Sequence, residues 1–261
     1  MFSPAHRSSL KKIPLLKFLY LVGSVFQYRP GLIRRAGALS RFFSNYRRFT
    51  HLKENTHLPA AFADLYPRLF DDTDSTPLDP VYFYQDAWCA EKIFAARPTR
   101  HVDIASHAHL VGILSGFCPV TFVDIRPLPV QLPNLHFTKG DITALPFASE
   151  SIESLSSVCV IEHIGLGRYG DPLDPFGSEK AAAELTRVLG QNGDLYISVP
   201  VDTENHVYFN AHRAFARDYM LSLFKELALV EEKYIYGNNM VNEYHPDKGF
   251  GTGLYHFKKP V

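Results

Sequence analysis

The chain is poor in cysteine and has no spaced set of metal ligands. Its 261 residues contain three cysteines, Cys89, Cys118 and Cys159, which are far apart and form no C-x-x-C pair. An odd and dispersed set argues against a disulfide framework and against a structural zinc site. The twelve histidines form no H-x-x-x-H pair, and the one H-x-H pair, His107 and His109, is too weak a pattern to predict a metal. We therefore expect a cytoplasmic protein with structural thiols and no bound metal.

The first 53 residues lack acidic side chains. Eleven of the 27 Lys and Arg residues lie in Met1–Lys53, whereas all 27 Asp and Glu residues follow it, so the formal net charge of +0 hides a basic arm and an acidic remainder. The arm also lacks an apolar run of membrane-spanning length, since Ile13–Phe26 has fourteen residues and a spanning helix needs about twenty. No small-residue cleavage site follows that run, which argues against a signal peptide.

A basic amphipathic helix is predicted over Leu32–Phe49, where arginines and apolar side chains recur at helical spacing. Such helices lie in the membrane interface, so we predict that residues 1–53 contact an anionic membrane at the inner membrane surface. The alternative is that the apolar side chains cover the next domain while the arginines face water. No recognition motif accompanies the charge, so we expect no nucleic-acid partner.

Composition divides the chain into three parts. Residues 1–56 are the basic amphipathic extension, residues 57–80 are a linker rich in Pro, Asp and Thr, and residues 81–261 form the main domain. A domain of this length buries a full core without difficulty.

Strands and helices alternate after the linker. The predicted helices are Tyr82–Ala96, Ala108–Phe117, Gly177–Leu189 (closed by Gly190 and Gly193) and Ala214–Leu227. The predicted strands are His101–Ile104, Val120–Asp124, one that begins at Leu135, Leu155–Ile161, Leu195–Pro200, and an antiparallel pair formed by Leu229–Tyr236 and Gly253–Phe257. This alternation predicts an α/β fold with a doubly wound, mostly parallel Rossmann-like sheet, which follows an N-terminal helical basic extension. Small ligands bind at the carboxyl ends of such strands.

A carboxylate ends the second predicted strand. Asp124 can accept hydrogen bonds from both hydroxyls of a ribose, and it lies 21 positions after Asp103, which is the spacing of the ribose carboxylate in dinucleotide folds. The alternative is that Asp124 caps a turn. The turn over residues 103–109 lacks the glycines that let a backbone approach a pyrophosphate. It therefore disfavours an NAD-type oxidoreductase and suits a cofactor without phosphates, such as S-adenosylmethionine.

Several motifs resemble known proteins. One set of motifs resembles class I S-adenosylmethionine-dependent methyltransferases: Asp103-Ile104, Asp124, Gly140-Asp141-Ile142, Leu145-Pro146-Phe147, Glu162-His163 and the segment 187–195. Four longer blocks, at 82–86, 122–128, 161–171 and 209–213, resemble the bacterial and nematode family called domain of unknown function 268, over roughly residues 79–258. The resemblance implies a methyltransferase-like core and an enzyme that uses S-adenosylmethionine.

The resemblance also implies a role for individual residues at the cofactor. Asp103, Ala105 and Ser106 would line the methionine side of the cofactor, and Asp124 would hold its ribose. Around the adenine, Ile125 and Arg126 would lie beside the ring, and Ile142 would pack on it. Asp141 would accept a hydrogen bond from the adenine amino group. Glu162 and His163 would lie between cofactor and substrate. His163 is the candidate general base for a hydroxyl acceptor, because histidine titrates near neutral pH. The alternative is that His163 is a structural hydrogen-bonding residue.

Two further groups are candidate substrate-binding residues. Arg168, Tyr169 and Asp171 follow on a glycine-rich loop, and Asn210, His212 and Arg213 follow the fifth strand, where they alternatively cap the next helix. Such polar and aromatic side chains suit a small-molecule or glycan acceptor with many hydroxyls. The sequence thus predicts a methyltransferase that acts near the membrane. The alternative is a non-catalytic, methyltransferase-like protein that binds a ligand or partner in a membrane-associated assembly.

Overall fold

The structure is a computed structural model that describes residues 31–52, residue 62 and residues 65–261. The apolar run Ile13–Phe26 and part of the predicted linker lie outside the described residues. The chain divides into two compact units, Met1–Pro77 and Leu78–Val261. None of the helices in the described part of the chain combines the length and the apolar character that a membrane crossing requires.

Helix α1 (Leu32–His51) belongs to the first unit, and it confirms the helix predicted for the basic extension. Its last turn carries the basic residues Arg48 and His51, which suits the negative end of the helix dipole. Leu39, Phe43 and Phe49 are 40%, 42% and 60% exposed. The helix therefore presents apolar side chains to solvent among its arginines.

A ten-stranded sheet forms the second unit. Its strands are β1 (His101–Ile104), β2 (Val120–Asp124), β3 (Leu135–Lys139), β4 (Ile152–Val158), β5 (Leu189–Asp202), β6 (His206–Tyr208), β7 (His212–Ala216), β8 (Ala228–Tyr236), β9 (Asn239–Val241) and β10 (Gly251–Lys258). The order along the main path is β3-β2-β1-β4-β5-β10-β8-β9. β1 to β5 pair in parallel, whereas β10 is antiparallel to both β5 and β8. The predicted fold class and the closing antiparallel pair are confirmed.

Helices cover both faces of this sheet. α2 (Pro80–Ala96) and α3 (Ala108–Leu114) pack on one face, and α4 (Gly177–Val188) and α5 (Arg217–Leu223) pack on the other. Successive residues of β5 point to opposite faces, as a strand requires: Leu195 and Ile197 join the core under α4, and Tyr196 joins the core under α2. There Trp88 packs edge to face on Tyr196, with ring centroids 6.1 Å apart.

The predicted fourth strand is misplaced. The strand was predicted over Leu155–Ile161, but β4 ends at Val158 because Cys159 has a φ of 52°, which a strand residue does not adopt. A 3-10 helix, Ile161–His163, follows. The apolar run through this segment is buried on both sides of the boundary, so its composition does not mark where the strand ends.

The predicted helix Ala214–Leu227 is wrong at both ends. Residues 214–216 belong to β7, which forms a hairpin with β6 and pairs in parallel with the end of β5, and α5 ends at Leu223. The prediction that Gly190 and Gly193 close α4 is also wrong, because both lie within β5. Short apolar runs fit either a strand or a helix until their pairing partner is known.

Candidate functional site

A cleft of two adjoining lobes lies at the carboxyl ends of β1, β2 and β4. This is the point where the strand order reverses on either side of β1, as expected for a ligand site in an open α/β sheet. The β2 lobe has a volume of about 440 Å³ and includes residues 123–126 and 139–142 in its lining. The α2 lobe has a volume of about 450 Å³ and includes Tyr82 and residues 105–108. Both lobes share Ala105, Asp124, Arg126, Cys159, His163 and Tyr169.

Asp124 sits at the junction of the two lobes and is only 6% exposed. Its Oδ1 accepts from the backbone N–H of Arg126 at 2.7 Å. The guanidinium of Arg126 also donates to both oxygens, from Nε to Oδ1 and from Nη2 to Oδ2, each at 3.2 Å. The carboxylate therefore faces the cleft as one half of an ion pair.

Asp141 and Ile142 follow β3 and line the β2 lobe, together with Ile125 of the β2 loop. Oδ1 of Asp141 accepts from the backbone N–H and the hydroxyl of Thr143, both at 2.8 Å, while Ile142 is buried. The preceding Gly140 is required by space, because a Cβ there would lie 2.7 Å from Cγ1 of Val123. This close packing holds the turn against the end of β2.

The glycine-poor turn after β1 keeps a glycine-like backbone. Ala105 has a φ of 56°, in the left-handed region that favours glycine, and its N–H donates to the carbonyl of Val123 at 2.8 Å. The small Cβ of alanine thus replaces a glycine without changing the direction of the turn. Ala105 lines both lobes, and Ser106 lines the α2 lobe.

Asp103 lies beneath the turn and lines neither lobe. Its Oδ1 accepts from the N–H of Ser106 at 3.0 Å, and its Oδ2 accepts from the hydroxyl of Ser156. Burial raises the pKa of Asp103 to about 6. Ser156 in turn accepts from Nε2 of the buried His101 at 2.8 Å, so a hydrogen-bonded chain joins β1 and β4 and fixes the turn from below.

His163 lines both lobes from the 3-10 helix after β4. Its Nδ1 lies 2.7 Å from the carbonyl oxygen of Ala211, and a carbonyl only accepts, so Nδ1 carries the proton and Nε2 is left as an acceptor. Burial lowers the pKa of His163 to about 4, and the nearby Arg168 cation adds to this effect. The imidazole is therefore neutral at pH 7.

Glu162 is 1% exposed and lies on the same 3-10 helix. Its Oε1 is 3.7 Å from Nε2 of His163, and its Oε2 has no hydrogen-bond partner among the residues that the structure describes. Burial raises the pKa of Glu162 to about 8. At pH 7 the side chain is a neutral carboxylic acid beside a neutral imidazole.

The loop after this helix is held by Asp171. Its carboxylate accepts from the N–H groups of Gly165 at 2.7 Å, Gly167 at 3.3 Å and Tyr169 at 3.1 Å. Burial raises the pKa of Asp171, but these backbone donors outweigh that effect and lower it. The loop places Tyr169 within reach of two cations: the guanidinium carbons of Arg126 and Arg168 lie 4.6 and 5.0 Å from its ring centroid.

The β6–β7 hairpin carries the last predicted group, and none of its three residues lines either lobe. His212 has its ring centroid 6.4 Å from that of His163. Asn210 is exposed in the hairpin turn. Arg213 is 7% exposed, and it donates to the carbonyls of Ile164 at 2.6 Å, Asp174 at 3.1 Å and Pro175 at 3.3 Å and to the hydroxyl of Ser178 at 3.1 Å. Arg213 therefore joins the hairpin to the segment before α4.

Some cleft residues were missed by the sequence reasoning. Tyr82, His107, Lys139 and Cys159 line the cleft but were assigned no role there. For Tyr82 a signal was available, since it begins one of the blocks that carry the family resemblance. No group of three or more candidate metal ligands occurs within the described residues.

Part of the chain matches a protein family. Residues 145–239 match the family model described as "Caenorhabditis protein of unknown function, DUF268", which confirms the predicted resemblance for this part of the chain. The blocks at 82–86 and 122–128 lie outside the matched residues. No curated protein matches the chain.

Solved structures share the fold. NodS, an N-methyltransferase of Bradyrhizobium japonicum WM9, is 15% identical with a TM-score of 0.52, covering 74% of this chain and 100% of that chain. A 1,6-didemethyltoxoflavin-N1-methyltransferase of Burkholderia thailandensis, with bound S-adenosylhomocysteine, is 14% identical with a TM-score of 0.50, covering 89% and 92%. SpnF, a [4+2]-cyclase, is 12% identical with a TM-score of 0.51, covering 67% and 81%. The chain thus has the fold of class I S-adenosylmethionine-dependent methyltransferases, and the cyclase illustrates that this fold alone does not fix the reaction.

Proposed function

We propose that this chain, with its class I methyltransferase fold, is an S-adenosylmethionine-dependent methyltransferase. The observation that carries the proposal is a pair of carboxylates in one lobe, Asp124 after β2 and Asp141 after β3. They match the two hydroxyls of a ribose and the amino group of an adenine. The lobe volume of about 440 Å³ falls in the usual range of cofactor pockets, about 300–1,000 Å³.

The donor and acceptor groups of the β2 lobe fit this cofactor. Oδ2 of Asp141 is left to accept from an adenine, because Thr143 uses only Oδ1. Ile142 offers apolar surface to a ring, with Ile125 and Arg126 beside it. Asp124 can accept from ribose hydroxyls once Arg126 shares or releases its oxygens. The cofactor has no phosphates, so the turn at Ala105 does not need a glycine cradle.

His163 is the residue that we propose as general base. When bound, S-adenosylmethionine supplies an electrophilic methyl group, and the protein must position a nucleophile in line with it. Nε2 of His163 is free to take a proton from a hydroxyl acceptor, since Ala211 holds the ring through Nδ1. Glu162 stays uncharged at pH 7, because burial raises its pKa to about 8. It therefore adds no negative charge that would raise the pKa of His163, and the imidazole stays unprotonated.

The acceptor that we propose is a small molecule or glycan with several hydroxyls, bound on the His163 side of the cleft. Tyr169 lines both lobes, and Arg168 contacts its ring. His212 and Asn210 lie on the adjacent hairpin. Their polar and aromatic groups suit a polyhydroxylated ligand. Asp171 and Arg213 support this surface indirectly, by holding the loop and the hairpin that carry it.

Calorimetry with S-adenosylmethionine and S-adenosylhomocysteine tests the cofactor. We expect both to bind, and Asp124→Ala to weaken binding by at least about tenfold, because charge-assisted hydrogen bonds contribute about 1.5–3 kcal/mol each. Asp247→Ala, on the 3-10 helix Pro246–Lys248, which lines neither lobe, is the control and should bind like the wild type. Absence of binding to the wild type would overturn the proposal.

A non-catalytic ligand-binding protein is the second candidate function. It is favoured by the ion pair between Arg126 and Asp124, which occupies the proposed ribose carboxylate. The two functions differ in turnover. A methyltransferase releases S-adenosylhomocysteine with a panel of polyhydroxylated acceptors and loses that release in His163→Ala, whereas the second candidate releases none with any acceptor.

Membrane contact through residues 1–53 is part of the same proposal. It is supported by the exposed Leu39, Phe43 and Phe49 on α1 and by the basic charge of the arm. Co-sedimentation with anionic and with neutral liposomes, before and after deletion of residues 1–53, tests it. We expect only the full chain to pellet, and only with anionic lipid. Equal pelleting of both forms would exclude this contact.

A further inference from the structure

Helix α2 contributes one residue, Tyr82, to the lining of the α2 lobe. The helix begins at Pro80, where the side chain of Asp79 accepts from the N–H groups of Val81 and Tyr82. Tyr82 lines the lobe, and its ring centroid lies 5.0 Å from that of His107, which lines the lobe from the turn after β1. The first residue of the block Tyr82–Asp86 therefore lies at the cleft, although the proposed function gives this block no role.

Gln85 fixes the rotation of this helix over the strand ends. It is fully buried, and its Oε1 accepts from the thiol of Cys159 at 3.0 Å and from the hydroxyl of Ser198 at 2.9 Å. Cys159 lines both lobes. Since Tyr82 and Asp86 are one helical turn apart, they lie on the same side of α2, and Gln85 holds that side against the sheet.

Asp86 does not itself line the α2 lobe, but it neighbours His107, which does. Its Oδ2 lies 4.0 Å from Nδ1 of His107, whereas its buried Oδ1 has no hydrogen-bond partner in the described ranges. Burial raises the pKa of Asp86, and the neighbouring His107, the side chain of Gln85 and His109 oppose that shift. A buried acceptor without a donor is costly and calls for an explanation. A cationic group bound in the lobe would supply the missing donor.

Two other buried carboxylates are poorer candidates for such a cation. Asp103 has both oxygens occupied, by Ser106 and Ser156. Glu162 keeps its proton at pH 7 because of its raised pKa of about 8. Asp86 is left as the carboxylate that can pair with an ammonium group, and the imidazole of His107 and the hydroxyl of Tyr82 are donors for a carboxylate.

We infer that the Tyr82–Asp86 block recognises the amino-acid end of the cofactor, with Asp86 accepting from its ammonium group and His107 and Tyr82 donating to its carboxylate. This inference rests on the proposed function, in which the nucleoside end occupies the β2 lobe. The two lobes adjoin at Asp124 and Ala105, so one ligand can extend from one lobe into the other.

The test compares two ligands that differ only at this end. S-adenosylhomocysteine carries the amino-acid group, whereas 5′-methylthioadenosine keeps the adenosine and thioether but lacks it. By calorimetry on the full chain, we expect Asp86→Asn to lower the affinity for S-adenosylhomocysteine by about tenfold or more, as the loss of a charge-assisted hydrogen bond predicts. The affinity of the same variant for 5′-methylthioadenosine should stay within about twofold of the wild-type value. His107→Ala should likewise lower the affinity for S-adenosylhomocysteine and leave the affinity for 5′-methylthioadenosine unchanged.

Glu91→Gln is the matched control, because Glu91 is an exposed acidic residue of the same helix; it should bind both ligands like the wild type. The inference is overturned if Asp86→Asn binds S-adenosylhomocysteine with wild-type affinity, or if it loses affinity for both ligands equally. If the wild type binds neither ligand, the proposed function itself fails, and that result is seen before any variant is made.

Discussion

Arg126 holds both carboxylate oxygens of Asp124, each at 3.2 Å, while its guanidinium carbon lies 4.6 Å from the ring centroid of Tyr169. The loop after β2 and the loop after the 3-10 helix are thereby joined across the cleft. A ligand whose hydroxyls bind Asp124 must draw on the same oxygens that Arg126 uses. Binding at the end of β2 is therefore coupled to the position of Tyr169.

The ring of Tyr169 contributes to stability through its contacts with two arginines. Cation–π contacts at exposed sites contribute about 0.5–1 kcal/mol each, and Tyr169 contacts both Arg126 and Arg168. We expect Tyr169→Leu to lower the free energy of unfolding by about 1 kcal/mol and Tyr169→Phe to leave it unchanged, since phenylalanine keeps the ring. Urea denaturation followed by circular dichroism measures both. An equal loss in the two variants would assign the effect to the hydroxyl instead.

Glu162 makes the fold less stable as the pH rises. Its pKa is about 8 in the folded chain against 4.5 for an ordinary glutamate, so between these values the folded state keeps a proton that the unfolded chain releases, and stability falls with rising pH. Glu162→Gln removes this titration. We expect its melting temperature to exceed that of the wild type at pH 8 and the difference to vanish near pH 4.5. Glu226→Gln, at an exposed site, should show no such trend, and a pH-independent difference for Glu162→Gln would contradict the assignment.

His163 is expected to stay neutral well below pH 6. Its pKa is lowered from 6.5 to about 4 by burial, with a contribution from Arg168, so stability is lost as the pH falls from 6.5 towards 4, where the unfolded chain binds the proton first. Nuclear magnetic resonance titration of the imidazole, identified by its loss in His163→Ala, measures the midpoint directly. Arg168→Ala should move the midpoint upward. A wild-type midpoint near 6.5 would show that the ring is open to water.

Arg213 is expected to act on stability. Its removal leaves the carbonyls of Ile164, Asp174 and Pro175 without their donor in a buried site. We expect Arg213→Met to lower the free energy of unfolding by about 2–4 kcal/mol while S-adenosylhomocysteine binds the folded fraction normally. Lysine has one donor group in place of the planar fork, so Arg213→Lys should recover little. A variant of normal stability with weakened binding of the acceptor would instead support the predicted contact with substrate.

Ala105 carries a small strain that glycine would relieve. A non-glycine residue in the left-handed region costs about 1–2 kcal/mol in the folded state. Glycine avoids this cost but lowers stability by about 0.4–1 kcal/mol, because it increases the entropy of the unfolded chain. The first effect is the larger one. We expect Ala105→Gly to stabilise the protein by about 0.5–1 kcal/mol and Ala105→Val to destabilise it by about 2 kcal/mol. Ala183→Gly, on the exposed side of α4, should have the opposite sign and cost about 1 kcal/mol.

The parts of the fold that depend on local pattern were predictable. β1 and β2 have the predicted bounds, because short apolar runs between clear breakers define them. Asp124 and Asp141 were found as strand-end carboxylates for the same reason. The end of β4 was not predictable, because Cys159 stops the strand through its backbone conformation within a continuous apolar run.

The parts of the site that depend on distant contacts were not predictable. His163 is held by Ala211, 48 positions away, and Gln85 reaches Cys159 over 74 positions. No periodicity records such pairs, since they depend on how the hairpin and α2 pack on the finished sheet. The same is true of Arg126, whose sequence position beside Asp124 does not reveal that its side chain turns back onto that carboxylate.

Trp88 gives the protein an intrinsic optical signal. It is the single tryptophan of the chain, it is buried against Tyr196, and its indole N–H has no hydrogen-bond partner within the described residues. We therefore expect its emission at short wavelength in the native state and a shift to longer wavelength when α2 leaves the sheet. Because Trp88 follows Asp86 on that helix, unlabelled protein can be used to follow both unfolding of the Leu78–Val261 unit and any displacement of α2 by a ligand.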